Sequence, residues 1–194
     1  MLELLLIGIG TGNPDHITRE AENAIRQADL VLLPHKEDNK AELAQVRLSL
    51  LEQLNVPLDR VAHFDMPLRR SQGDDYDQQV DEWHDAIAHR WQAALDEKLP
   101  TGSGRVALLV WGDPALYDST LRIASRLGLP REQVRVVPGI TSMQVLCSAH
   151  GIALNDIGAP FLVTTGRQLR EGGWPQGVDT LLIMLDGQCS FQQV

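Results

Sequence analysis

Three short loops hold the residues whose types and spacing could do chemistry. Gly8-Ile9-Gly10-Thr11-Gly12 directly follows the apolar run Leu4–Ile7. Glycines there allow a tight strand-to-helix turn with positive φ, or a close approach of backbone amides to a ligand. The spacing is G-x-G-x-G, and Asn13 stands where a dinucleotide fingerprint needs its third glycine. A Walker-type G-x-x-x-x-G-K-S/T loop is absent from the sequence. Gly112-Asp113-Pro114 follows the run Val106–Trp111. A carboxylate at the carboxyl end of a buried strand can accept hydrogen bonds from sugar hydroxyls or face a cationic group. Asp before Pro is also ordinary turn and cap chemistry. Pro138-Gly139-Ile140-Thr141-Ser142 follows Val134–Val137. Hydroxyls and free amides at a helix start make either an N-cap or a polar ligand cradle.

Other reactive residue types are sparse. Six histidines are scattered at 16, 35, 63, 84, 89 and 150, and the pair His84 and His89 is spaced wrongly for two ligands on one helix face. His35 ends an apolar run and can face a cleft. No G-x-S-x-G and no H-E-x-x-H occurs, so a serine hydrolase or a zincin has no support. Cys147 and Cys189 are the two cysteines, which excludes a disulfide scaffold and a Cys-x-x-Cys metal clip. No metal site is expected.

A net charge of −9 argues against a protein that coats nucleic acid. An anionic small molecule remains possible where basic residues gather, and Lys36, Arg69, Arg70, Arg122, Arg167 and Arg170 are the supply near loops and helix starts. The opening run Leu2–Ile9 lacks a basic flank and is too short for a membrane span. The expectation is a cytoplasmic protein with no membrane partner.

The elements that must position the three loops follow from hydrophobic periodicity. Continuous apolar runs at Leu4–Ile9, Leu30–Leu33, Val106–Trp111 and Val134–Val137 suit strands buried on both faces, with two more at Pro160–Thr165 and Thr180–Leu185. Between them lie 3.6-residue patterns: Ile17–Ala28, opened by Asn13-Pro14-Asp15; Leu43, Val46, Arg47, Leu50, Leu51 and Leu54; and Tyr76, Val80, Trp83, Ile87, Trp91 and Leu95. A helix over 119–127 ends at Gly128. Alternation of strand and helix predicts an α/β protein with mainly parallel sheets. Two α/β domains are expected, 1–114 with a long helical insertion at about 66–100, and 115–194.

Taken together and in order, Ile7-Gly8-Ile9-Gly10-Thr11-Gly12-Asn13-Pro14-Asp15 with Thr18, Ala28-Asp29, Gly112-Asp113-Pro114, and Pro138-Gly139-Ile140-Thr141-Ser142 with Ala149 and Gly151 resemble the tetrapyrrole methylase family. These are the S-adenosylmethionine-dependent methyltransferases of corrin, sirohaem and diphthamide synthesis. The stretch from Asp75-Tyr76 through Asp81-Glu82-Trp83-His84 to Trp91 is similar to the branch that methylates C-1 of precorrin-5 and releases acetate.

The resemblance implies two α/β domains with S-adenosylmethionine in the cleft between them. It assigns Trp111, Gly112, Asp113, Leu116, Thr141, Ser142 and Leu185 to the cofactor, with Thr11 approaching it from the first loop; relatives often carry Pro where this chain has Thr11. It gives Gly10, Gly12, Asp15 and His35 to an anionic tetrapyrrole. No catalytic residue is assigned; Asp15, His16 and His35 are placed where a base for deacetylation would be. A homodimer is expected, with Trp83 and Trp91 as candidate interface residues. The chain is also expected to continue past Val194. The motifs leave open a relative acting on another precorrin carbon, or a module that binds a nucleotide-like ligand without chemistry. An NAD-linked oxidoreductase is disfavoured by the glycine spacing.

Overall fold

The structure is a computed structural model that describes residues 1–35, 41–69 and 76–194. It divides into two compact units, Met1–Thr141 and Ser142–Val194.

The first unit is built on one parallel sheet. Its strands are β1 (Leu2–Gly8), β2 (Leu30–His35), β3 (Val61–Asp65), β4 (Gly104–Val110) and β5 (Val134–Val137). They lie in the order β3-β2-β4-β1-β5. β1 pairs with β4 along its whole length, from Leu2↔Gly104 to Gly8↔Val110, and with β5 from Leu4↔Val134 to Ile7↔Val137. Successive side chains of a strand point to opposite faces. Leu5 and Ile7 therefore join one apolar layer with Ala21, Ala24 and Ile25 of α1 (Arg19–Arg26), Leu50 and Leu51 of α2 (Ala41–Gln53), and Leu54 just after α2. Leu4 and Leu6 join the other layer with Ile87, Trp91 and Leu95 of α3 (Tyr76–Lys98) and Ile123 of α4 (Thr120–Ala124). Both faces are covered, which is why the strand runs are apolar without alternation.

The second unit contains α5 (Ser142–His150), β6 (Leu162–Thr165), α6 (Gly166–Gly172) and β7 (Leu181–Met184). β6 and β7 pair in parallel, and Thr165 caps α6 by accepting from the Gln168 amide at 3.3 Å.

Several expectations are corrected here. Val134–Val137 belongs to the first unit and not to a second domain starting at 115, because it hydrogen-bonds to β1, and the chain divides at 141/142. The segment read as an insertion at about 66–100 includes α3, a core helix whose Trp91 is 3% exposed and meets Phe64 edge-on at 6.1 Å. Trp83 is half-buried and donates its indole N–H to Pro67 O at 2.8 Å. Trp91 is therefore a core residue, while Trp83 keeps part of its surface exposed. Asn13 starts only the short turn Pro14–His16; α1 is capped by Thr18, whose hydroxyl accepts from the Ala21 amide at 3.1 Å. β2 runs past Pro34 to His35, because β4 pairs with it only from Leu30 to Leu32 and no ladder bond to β4 is lost at the proline.

Candidate functional site

The loops after β1, β4 and β5 meet at the carboxyl ends of the strands, where open α/β sheets bind ligands. Gly112 donates its amide to Gly10 O at 2.7 Å, and Gly10 returns a longer bond to Gly112 O at 3.4 Å. This is an antiparallel bridge at the carboxyl end of two neighbouring parallel strands, β1 and β4. Gly10 (φ 72°) and Gly112 (φ 63°) both sit in the left-handed region that other residues reach only at a cost. Around them the backbones touch. A Cβ on Gly8 would lie 2.6 Å from Gly139 N and 2.7 Å from Gly112 O, and one on Gly139 would overlap Gly112 O. Glycine is the residue that lets the three loops cross.

Asp113 fastens the crossing. Its Oδ2 accepts from the Gly139 amide at 2.9 Å and its Oδ1 from the Ala115 amide at 2.8 Å. Leu116 donates its amide to Asp113 O at 3.2 Å, closing the turn. Both carboxylate oxygens are thus engaged within the protein, and the acid acts first on loop shape. Thr141, 8% exposed, ends the third loop, and the Cα of Thr141 lies 3.9 Å from a Cβ built on Gly112.

The first loop turns away through Gly12 (φ 106°), against which the Trp111 ring packs; a Cβ there would lie 3.8 Å from it. Thr11 and Asp15 are exposed, and the Asp15 amide donates to Asn13 Oδ1 at 3.0 Å. The loops therefore bring Gly10, Thr11, Gly12, Trp111, Gly112, Asp113, Leu116 and Thr141 to one end of the sheet. His35 is exposed at the same end, on β2, and meets the ring of His63 edge-on at 6.1 Å. Ser142 and Leu185 belong to the second unit. There Ser142 Oγ donates to Met184 Sδ at 3.8 Å, and Leu185 is 74% exposed with a positive φ of 54°.

Two arrangements escaped the sequence reading. Arg47 lies with its guanidinium carbon 4.9 Å from the Trp111 ring centroid and donates Nε–H to Leu109 O at 3.3 Å. Burial pulls its pKa down to about 10, partly countered by Asp118. An arginine within an otherwise apolar helical stripe was the available signal. In the second unit Asp186 accepts from the Ser190 amide at 2.6 Å, from Ser190 Oγ at 2.8 Å and from the Gln188 amide at 3.3 Å. Burial alone would raise this carboxyl, but those bonds and Arg170 hold it below the usual carboxylate range. Arg170 is committed to this cluster through Ser190 Oγ at 2.6 Å. Of the other basic residues singled out, Arg69 stacks on Tyr76 at 4.6 Å and Arg122 donates to Asp118 O at 3.1 Å. Lys36 and Arg70 lie outside the described residues. Among the described residues no helix is long and apolar enough to cross a membrane.

Comparison with known proteins extends over the whole chain. The sequence model of Tetrapyrrole (Corrin/Porphyrin) Methylases matches residues 3–194. A precorrin-6A synthase (deacetylating) from Sinorhizobium sp is 45% identical over 198 residues, covering 100% of this chain and 75% of that protein. A precorrin-2 C(20)-methyltransferase from the same source is 32% identical over 152 residues, covering 77% of this chain and 59% of that protein. Among solved structures, a cobalamin synthesis related protein (CobF) from Corynebacterium diphtheriae superposes with a TM-score of 0.78 at 35% identity, covering 100% of this chain and 76% of that one. A uroporphyrin-III-C-methyltransferase from Thermus thermophilus gives a TM-score of 0.57 at 26% identity, covering 93% and 67%.

Proposed function

This chain belongs to the tetrapyrrole (corrin/porphyrin) methylase family, and on that premise we propose that it is a precorrin-6A synthase of the deacetylating kind. It would methylate precorrin-5 at C-1 with S-adenosylmethionine and release acetate. The observation that carries this reading is the 45% identity to such an enzyme across all of this chain.

The residues at the strand ends fit a nucleoside-bearing cofactor: a backbone crossing too tight for any side chain, with the Thr141 backbone and the Trp111–Leu116 loop beside it. Thr11, Trp111, Gly112, Asp113, Leu116 and Thr141 of the first unit would hold it. Bound there, S-adenosylmethionine supplies an activated methyl and its own leaving group. The work left to this chain is placement, an effect worth ~7–11 kcal/mol in well-oriented systems. Asp113 fixes the loop by holding the Gly139 and Ala115 amides, and the Gly10–Gly112 bridge fixes the first loop against it. Gly10, Gly12, Asp15 and His35 would face the tetrapyrrole. Loss of acetate needs water at the acetyl carbonyl, and exposed His35 at the end of β2 is one group able to hold or take a proton there. A cytoplasmic homodimer is part of the same reading and is supported by the family alone.

The test is incubation of the protein with precorrin-5 and methyl-labelled S-adenosylmethionine. Equal amounts of C-1-methylated product and acetate are expected. Label at another ring carbon would assign the chain to a sister reaction, such as that of the C(20)-methyltransferase it also resembles.

A further inference from the structure

Arg47 of α2 reaches across to the end of β4 and to the loop that follows it. Its bond to Leu109 O fills a gap in the sheet. Val110 O accepts from Ile9 on the β1 side. Successive carbonyls of a strand point to opposite sides, so Leu109 O faces β2. Pairing of β2 with β4 stops at Leu32 and Leu108, and the next amide in line would belong to Pro34, which has none. The Arg47 Nε–H supplies the missing donor at 3.3 Å.

The same guanidinium lies over Trp111, its carbon 4.9 Å from the ring centroid. The Trp111 indole N–H is buried and has no hydrogen-bond partner among the described residues. Packing alone therefore orients the ring, with Arg47 over it and Gly12 beside it. A cation over an indole face is attracted by the ring quadrupole. Arg47 keeps its charge at neutral pH, since burial lowers its pKa only to about 10. Asp118 attracts the same cation and is itself fixed, because its Oδ1 accepts from the Thr120 amide at 2.6 Å. One side chain of α2 thus acts on both ends of the stretch 111–118.

We propose that Arg47 is a positioning residue for the methyl transfer: by latching Trp111 to α2, it holds the following Gly112–Leu116 stretch in the shape that receives S-adenosylmethionine. The proposal rests on the methyltransferase reading and adds a residue that acts on the cofactor through Trp111. Asp113 fastens this loop to the one after β5, and Arg47 fastens it to α2. A loop ordered before its ligand arrives binds more tightly than one that must be ordered on binding. Loss of the latch should therefore weaken the cofactor and leave the rate of transfer from the bound cofactor nearly unchanged.

The test compares Arg47→Gln and Arg47→Lys with the parent, with thermal melting as the fold control. Glutamine carries its amide nitrogen as many bonds from the backbone as the arginine Nε, so it can keep the Leu109 bond while the cation is lost. Lysine keeps a cation on a flexible stem. S-adenosylhomocysteine binding is read by calorimetry, and kcat and KM by methyl-labelled S-adenosylmethionine with saturating precorrin-5. Arg47→Gln should weaken S-adenosylhomocysteine at least tenfold, raise KM for S-adenosylmethionine in parallel and leave kcat within threefold. Arg47→Lys should recover affinity to within threefold of the parent. In a Trp111→Leu background, Arg47→Gln should cost less than threefold further, because the ring through which it acts is gone. Affinity within twofold of the parent in Arg47→Gln overturns the proposal. So does an equal loss in both backgrounds, or a fall in kcat with affinity unchanged. If the parent itself fails to bind S-adenosylhomocysteine, the methyltransferase reading falls and takes this one with it, a result distinct from unchanged affinity in the variant. Should Arg47→Gln not fold, Arg47→Met, which keeps the apolar stem and buries no polar end, takes its place under the same criteria.

Discussion

The side chain of Asp113 and the backbone of Gly139 are joined by a 2.9 Å hydrogen bond that spans 26 residues and ties the β4 loop to the β5 loop. A second bond, from the Ala115 amide at 2.8 Å, uses the other carboxylate oxygen. The acid is therefore a fastener of the ligand-facing loops. Replacing it with alanine leaves two amides to find other partners, and hydrogen bonds to charged groups contribute about 1.5–3 kcal/mol each. Asp113→Ala is expected to lower stability by about 2 kcal/mol and weaken S-adenosylhomocysteine at least tenfold. Denaturant titration and calorimetry read the two effects separately; unchanged affinity would detach Asp113 from the cofactor site.

Gly139→Ala should be the most damaging single methyl in the first unit. The added carbon overlaps Gly112 O, which is backbone and held by the bridge to Gly10. Overpacking of this kind costs typically about 1–3 kcal/mol, and here the upper end is expected. Gly128→Ala is the control, since its φ of 66° is strained for alanine but its Cβ meets nothing within 4 Å. A loss limited to about 1 kcal/mol is expected there. Equal losses at both positions would remove the crossing from the account.

His84 predicts an acid-sensitive fold. It is 2% exposed, and both ring nitrogens lack a hydrogen-bond partner among the described residues. Burial lowers its pKa below 6.5, and Arg126 lowers it further. The unfolded chain then binds the proton more readily, so this group costs no stability above pH 6.5 and an increasing amount as pH falls below it. His84→Phe should flatten the stability profile between pH 7 and 5. If the parent and the variant lose stability in parallel over that interval, another group is responsible.

Leu185 holds a positive φ of 54° while 74% exposed, immediately before Asp186 and its cluster of bonds to Ser190 and Gln188. A left-handed leucine costs about 1–2 kcal/mol. Leu185→Gly should therefore be neutral to stabilising in a melting experiment yet weaken S-adenosylhomocysteine several-fold. A variant that gains stability without losing affinity would show that Leu185 does not touch the cofactor.

The sequence exposes some of this architecture and hides the rest for physical reasons. β1, β2 and β4 are plain because both faces of each are buried and apolar residues fill the run of buried positions. β3 is hidden: Val61–Asp65 is a sheet edge with His63 and Asp65 turned outward, so it reads as an ordinary polar stretch. β5 is visible as a strand but not as a partner of β1, since pairing across 130 residues leaves no local trace. The three loops are legible as motifs, whereas the Asp113–Gly139 bond and the Arg47–Trp111 contact arise only on folding.

The strand order also sets a timetable for biosynthesis. β1 leaves the ribosome well before either of its neighbours, since β4 and β5 lie about a hundred residues or more downstream. At roughly 5–20 residues per second, Leu2–Gly8 waits on the order of 5–20 s before β4 exists to cover it. During that interval an apolar strand with both edges open is available to other nascent chains. Yield in a cell should therefore respond to translation speed and chaperone supply more than the stability of the finished sheet would suggest.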